Sequence, residues 1–212
     1  MDATVTVTHV AEVGPRTVAI TFESPSDFSA EPGQFVKLSA TVDGEEYSRF
    51  YTLSSPDTDG DFEVTVGVDP DEAGPFSRHL ESLESGDELD MSGPFGSDFY
   101  EGEARAVCIV GGPGIGPAVG IAEAAVDAGN EAAVVYRSAE PSHRARLDEL
   151  ADRGVDVRVV ADDLTAAVAD VLTGDAGEQA FVYGFADFLD DALAAVEAAD
   201  ADPDAAKVEN FG

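Results

Sequence analysis

The sequence predicts two domains: an antiparallel six-stranded β-barrel over residues 1–100, then an α/β unit over residues 101–212 built on a parallel five-stranded sheet. Three observations carry that expectation. Short β-rich segments follow one another at regular spacing up to about residue 100. Strand and helix patterns then alternate to the end of the chain. Finally, the loop Gly111-Gly112-Pro113-Gly114-Ile115-Gly116-Pro117 falls at the first strand-to-helix junction of the second half, where such sheets receive a nucleotide.

In the first half Thr4 to Thr8 alternates, and Val18 to Phe22 is β-branched and aromatic. Phe35 to Leu38 and Tyr47 to Leu53 follow. Phe62, Val64, Val66 and Val68 then alternate with Asp61, Glu63, Thr65 and Gly67, and Glu88 to Met91 makes the sixth strand. Phe76, Leu80 and Leu83 recur at intervals of four and three, which predicts an amphipathic helix over 75–84. The pattern changes near Tyr100-Glu101-Gly102-Glu103. Beyond it strands are expected at 104–110, 131–136, 155–160, 180–183 and 205–209, with helices at 116–128, 142–151, 164–172 and 186–199. There is no internal repeat and no low-complexity linker.

Composition is globular, with 44% hydrophobic and 26% charged residues over 212 positions. The charge is unusual: 44 acidic against 11 basic residues, a formal net of −33, spread along both halves. Such a surface repels nucleic acid and anionic membrane. At about 1 M salt the screening length is only about 3 Å, so adaptation to a salt-rich cytoplasm is the expectation, with a docking face for a cationic partner as the alternative. Cys108, the only cysteine, sits in an apolar run and reads as a core residue, with no disulfide or iron–sulfur cluster. Met1 to Thr4 lacks the basic start of a signal peptide, and no uncharged stretch could span a bilayer. His9, His79 and His143 read as ordinary surface or strand-end histidines, and no metal motif is visible.

The densest chemistry lies in Arg49-Phe50-Tyr51-Thr52-Leu53-Ser54-Ser55. Arg49 and Tyr51 point to one face of a strand and Thr52 to the other. A guanidinium clamps phosphate, a tyrosine ring stacks on a planar ring, and a hydroxyl both donates and accepts. The bland alternative is a half-buried strand with an exposed arginine and a core tyrosine. Near it, Gly74 and Ser77 flank a helix start whose free amides favour an anion, or simply cap an ordinary helix.

Together these stretches resemble the ferredoxin–NADP reductase family. Arg49-x-Tyr51-Thr52-x-x-Ser55 matches its flavin signature, preceded by Pro32-Gly33-Gln34-Phe35. Gly74-Pro75-Phe76-Ser77, Gly93-Pro94-Phe95-Gly96, the glycine loop and the terminal Glu209-Asn210-Phe211 follow in the family's order. The resemblance implies a flavin, FAD in preference to FMN, held by Arg49, Tyr51, Thr52, Leu53 and Ser54, by Val66 and Val68, and by Gly74, Phe76 and Ser77. It implies NADP or NAD at Gly112, Pro113, Gly114, Ile115, Gly116 and Pro117, with Gly184 nearby. Tyr51, Thr52, Tyr183, Glu209 and Phe211 would surround the transferring hydride. Thr52 would sit near flavin N5, Glu209 would act as a polar group or proton relay, and Phe211 would cover the ring and move aside, with a frayed tail as the alternative. Two positions depart from the family: Phe50 replaces a common proline, and Tyr183-Gly184-Phe185 stands where Cys-Gly-Pro is usual. Arg137, Arg144 and Arg146 after the second strand of the sheet lean towards NADP. The implied function is hydride transfer between NAD(P)H and FAD, with electrons passing to a separate, soluble acceptor such as ferredoxin. A reductase subunit of an oxygenase or dehydrogenase complex, and a non-catalytic redox sensor, are the alternatives.

Overall fold

A computed structural model describes residues 1–68 and 74–211. The first half forms six antiparallel strands: β1 (Asp2–Gly14), β2 (Thr17–Glu23), β3 (Phe35–Val42), β4 (Glu45–Thr52), β5 (Asp61–Gly67) and β6 (Glu88–Phe95). Their order is β4-β3-β6-β1-β2-β5. The two edge strands meet just after β4, where Leu53 bridges Val64 and the Ser54 amide donates to the Glu63 carbonyl at 2.8 Å. The chemistry-bearing segment is therefore also the seam that closes the barrel. Period-two alternation fills the interior with Ile20, Phe22, Leu38, Phe62, Val64, Leu89 and Met91, all essentially inaccessible. Helix α1 (Pro75–Glu81) packs Phe76 and Leu80 into the same core. It ends three residues earlier than its apolar spacing predicts, because Ser82 already caps it, yet Leu83 is buried all the same.

The second half alternates as expected: β7 (Arg105–Gly111), α2 (Ile115–Asp127), β8 (Glu131–Arg137), α3 (Arg144–Asp152), β9 (Asp156–Val160), α4 (Thr165–Val171), β10 (Glu178–Gly184), α5 (Ala186–Ala198) and β11 (Lys207–Asn210). The five strands are parallel in the order β11-β10-β7-β8-β9. Helices α2 and α3 bury their apolar faces on one side of the sheet, and α4 and α5 on the other. Central β7 is covered on both sides, so Ala106 to Val110 are all fully buried and read as a continuous apolar run. Cys108 lies among them, and burial pushes its thiol well above the usual range. Among the described residues no helix is long and apolar enough to cross a membrane.

Residues 96–104 connect the sheets and are stitched to the second. The Tyr183 hydroxyl donates to the Asp98 carbonyl at 2.7 Å, and Asn130 Nδ2 donates to the Tyr100 hydroxyl at 2.8 Å. Lys207 Nζ donates to the Phe99 carbonyl at 2.6 Å and pairs with Glu101 and Glu103 while lying 5.4 Å from the Phe181 ring centre. These contacts hold β11 at the edge of the sheet beside the barrel.

Candidate active site

A cleft of about 860 Å³ separates the open end of the barrel from the carboxyl edge of the parallel sheet. The barrel contributes the end of β4, the end of β5 and Ser77; the sheet contributes the loops after β7 and β8 and residues 209–211. Arg49 and Tyr51 line it from the same face of β4. Arg49 is exposed, with Nη1 donating to its neighbour's Ser48 carbonyl at 2.8 Å. Tyr51 is half-buried, its ring centre 6.4 Å from that of Phe76, and burial raises its phenol. The Val66 and Val68 side chains point into the core, so they present backbone to the cleft. Ser77 lines it, whereas Gly74 stands exposed before α1 and the Phe76 ring is interior. Leu53 and Ser54 turn away: Leu53 enters the core, and the buried Ser54 hydroxyl bonds Thr65 Oγ1 at 2.7 Å. On the opposite face of β4, Phe50 is 61% exposed and meets Phe35 and Phe95, with ring centres 5.4 and 6.1 Å away.

The glycine loop divides its labour. Gly112, at φ +55°, lines the cleft with Pro113 and Pro117. Gly114, Ile115 and Gly116 do not; they are buried packing positions. A Cβ on Gly114 would strike the Tyr183 carbonyl, and one on Gly116 would lie 2.5 Å from Ser54 Oγ. The resemblance implies the nucleotide at all of them, and at two of the glycines close approach of protein to protein also leaves no room for a side chain. Tyr183 is likewise wholly buried, with its hydroxyl spent on Asp98, so it does not reach the cleft. Gly184 makes room for the Phe188 ring, and its carbonyl accepts from the Phe211 amide at 3.0 Å. Phe211 is held there by Phe185, edge-on with ring centres 6.4 Å apart, and by Tyr183 at 6.5 Å. Glu209 and the Thr52 hydroxyl line the cleft together, and the hydroxyl near the carboxylate favours its charged form. Burial, and to a lesser degree the charge of Asp98, push the Glu209 carboxyl up to about 7 in spite of that hydroxyl.

The three arginines read as a 2′-phosphate cluster are arranged otherwise. Arg137 pairs with Asp191 at 2.6 Å and lies 4.7 Å over the Phe188 ring, outside the cleft. Arg146 is half-buried between Glu63 and Glu123, and Arg144 is exposed at the start of α3. After β8 the cleft instead meets Ser138, Glu140 and Ser142. His143 corrects another expectation. It is 4% exposed, left-handed at φ +54°, and its Nε2 lies 2.8 Å from Thr65 Oγ1.

A family model described as an oxidoreductase FAD-binding domain matches residues 4–100, the segment that supplies Arg49, Tyr51, Thr52 and Ser77. Over that segment the chain is similar to FAD-binding oxidoreductases. The probable dihydroorotate dehydrogenase B (NAD(+)) electron transfer subunit of Methanopyrus kandleri is 32% identical over 108 residues, 51% of this chain and 38% of that one. The glycine betaine monooxygenase reductase subunit of Chromohalobacter salexigens is 39% identical over 108 residues, 48% of this chain and 28% of that one. The alignments thus span well under half the length of these curated relatives. The flavohem-like FAD/NAD binding domain of nitric oxide dioxygenase from Vibrio cholerae O1 biovar El Tor shares the fold. It superposes with a TM-score of 0.83, at 20% identity, over 99% of this chain and 98% of that domain.

The cleft fits FAD by the chemistry of its donors. It offers an exposed guanidinium and a serine hydroxyl for phosphate, a phenol ring for stacking, and strand-end backbone with a buried hydroxyl for a polar ring edge. Reading the sequence missed Arg16, which lines the cleft from the β1–β2 hairpin in a left-handed conformation at φ +53°. A non-glycine residue with positive φ at a hairpin tip is not visible in sequence, although the scarcity of cations was a usable hint. It also missed Glu140 and Thr65, whose places depend on contacts far along the chain.

Proposed function

We propose that the chain is an NAD(P)H-dependent flavin oxidoreductase, with residues 1–100 holding FAD and residues 101–212 holding the nicotinamide nucleotide. One observation carries the reading: the FAD-binding barrel and the glycine loop open into a single cleft, with Thr52, Glu209 and Phe211 at its centre. When bound, FAD supplies the redox chemistry, exchanging a hydride with the nicotinamide and electrons with an acceptor. Arg49 and Ser77 bind phosphate, and Tyr51 orients the ring by stacking. Thr52 and Glu209 hold a proton between hydroxyl and carboxylate. Phe211, held at its amide and by ring contacts, excludes water from the face where nicotinamide must stack and swings aside for it.

The acceptor is a separate soluble protein such as a ferredoxin. A subunit role within an oxygenase or dehydrogenase complex is the second reading, favoured by two relatives being named as subunits. The nucleotide is NADH. With Arg137 and Arg146 engaged elsewhere and Glu140 facing the cleft, the site offers a ribose diol an acceptor and a 2′-phosphate a repulsive charge. The net charge of −33 supports a salt-rich cytoplasm as the working environment.

The test is the visible spectrum of protein purified in high salt, before and after anaerobic nucleotide. Oxidised-flavin bands should bleach, at least about tenfold faster with limiting NADH than with NADPH, the ratio expected of about 1.4 kcal/mol of discrimination at one subsite. Glu140→Ser should narrow that ratio. A protein that takes up no flavin would sink the reading, and bands that never bleach would leave a binding module. From 0.1 to 2 M KCl, Tm should rise by roughly 10 °C as self-repulsion is screened; a flat or falling Tm would reject salt adaptation.

A further inference from the structure

We propose that Arg146 is a positioning residue for hydride transfer, setting the distance between the flavin-binding strand and the nucleotide loop. The inference rests on the function proposed above and concerns a residue outside the cleft.

Arg146 projects from α3 and makes four hydrogen bonds, to α2, to β5 and to the segment just after β4. Nε and Nη2 fork onto the Glu123 carboxylate of α2 at 2.7 and 2.6 Å. Nη1 donates to Glu63 of β5 at 2.8 Å, and Nη2 also donates to the Ser54 carbonyl at 2.6 Å. Ser54 ends the segment that carries Arg49, Tyr51 and Thr52, and α2 begins where the nucleotide loop ends. One guanidinium thus joins the two ligand-bearing segments directly. The three side chains are only 18–23% exposed, so the ion pairs are poorly screened.

Two further contacts belong to the same seam. His143, three residues before Arg146, reaches the Thr65 hydroxyl, which also bonds Ser54 Oγ. Ser142 Oγ donates to Thr17 Oγ1 at 3.0 Å. Gly116 and Gly120 let α2 rest directly on residues 54, 55 and 65. Every tie converges on the back of the cleft wall. Transfer between two stacked rings tolerates little misplacement, and an error of about 1 Å can cost about 100-fold in rate. A lysine could replace the charge but not the planar fork.

The experiment uses flavin-loaded full-length protein in high salt, with Arg146→Lys and Arg146→Met. Stopped-flow bleaching across NADH concentrations gives a limiting rate and a half-saturating concentration, and calorimetry gives the number of unfolding transitions. In Arg146→Met the limiting rate should fall about 10- to 100-fold, with half-saturation changed less than about threefold and flavin retained. Arg146→Lys should recover only part of that loss. The parent should unfold in a single cooperative transition and Arg146→Met in two. A limiting rate within twofold of the parent in a folded, flavin-loaded variant would overturn the proposal. So would a loss confined to half-saturation, which would make Arg146 a nucleotide ligand. If Arg146→Met does not fold, His143→Asn, compatible with the left-handed backbone, should lower the limiting rate about 3- to 10-fold, and an unchanged rate would overturn the proposal. If the parent itself never bleaches, the functional reading fails, and the unfolding transitions alone still decide whether Arg146 couples the two halves.

Discussion

Glu209→Gln should abolish a pH dependence of flavin reduction centred near 7 and slow reduction by about 100-fold at pH 6, the lower range expected for losing a positioned acid. In the parent, reduction should slow as pH rises through about 7, because the carboxyl then loses its proton. The charge that appears would oppose the arrival of electrons in the same cleft. Stability carries the same signature in the flavin-free protein. The folded-state value lies above the 4.5 of an exposed glutamate, so the contribution is complete below 4.5 and is lost as pH rises through about 7. The full loss is about 3 kcal/mol. Glu209→Gln should therefore be more stable than the parent at pH 8 and equal to it near pH 4. Urea unfolding across pH measures this, and parallel stability curves for the two proteins would exclude a buried, perturbed carboxyl. His143 acts in the opposite sense. Burial first, and the Arg146 charge second, lower it to about 3, so its contribution is complete above 6.5 and lost as pH falls.

Gly120→Val should be the most destabilising single change along the seam, costing roughly 3 kcal/mol with the flavin-loaded protein losing cooperativity. The opposing effect is known: in a free helix, replacing glycine by alanine gains about 1 kcal/mol. Here an added Cβ would lie 2.8 Å from the Ser54 carbonyl oxygen and 2.9 Å from that of Ser55. Both are backbone atoms at the barrel's closure, so neither can rotate away. Even Gly120→Ala should therefore destabilise, the reverse of its propensity. Gly74→Ala, with open space around it and φ −70°, is the control and should stay within about 0.5 kcal/mol. A neutral or stabilising Gly120→Ala, measured by urea unfolding in high salt, would show that α2 can retreat from the barrel.

What could be read from the sequence was local. Alternation in β5, the apolar run of β7 and the strand–helix rhythm beyond it are properties of neighbouring residues, and all reappear in the structure. Arg49, Tyr51, Thr52 and Phe211 were legible for the same reason, as short motifs in a recognisable order. The glycine loop was legible in position but not in purpose. A glycine needed for phosphate and one needed for a neighbouring Tyr183 carbonyl look alike until the fold brings that neighbour near. His143 and Thr65 lie 78 positions apart, and Arg146 and Ser54 lie 92 apart. No periodicity encodes such pairs. The scarcity of arginine does not reveal a role, because two of the three, Arg137 and Arg146, are paired with acids of the chain itself.

The Arg146 junction also bears on how such a protein could be recombined. A chimera cut just before the 96–104 connection would keep that connection's contacts with the second sheet, and looks like the natural place to exchange one nucleotide-binding half for another. It would nevertheless carry Glu63 into a new partner that need not offer a guanidinium at that spot. A carboxylate left half-buried and unmatched typically costs several kcal/mol. Modules of this kind can be swapped freely only if Glu63, Glu123 and Arg146 are treated as one inherited unit, although they lie in three separate stretches on both sides of the cut.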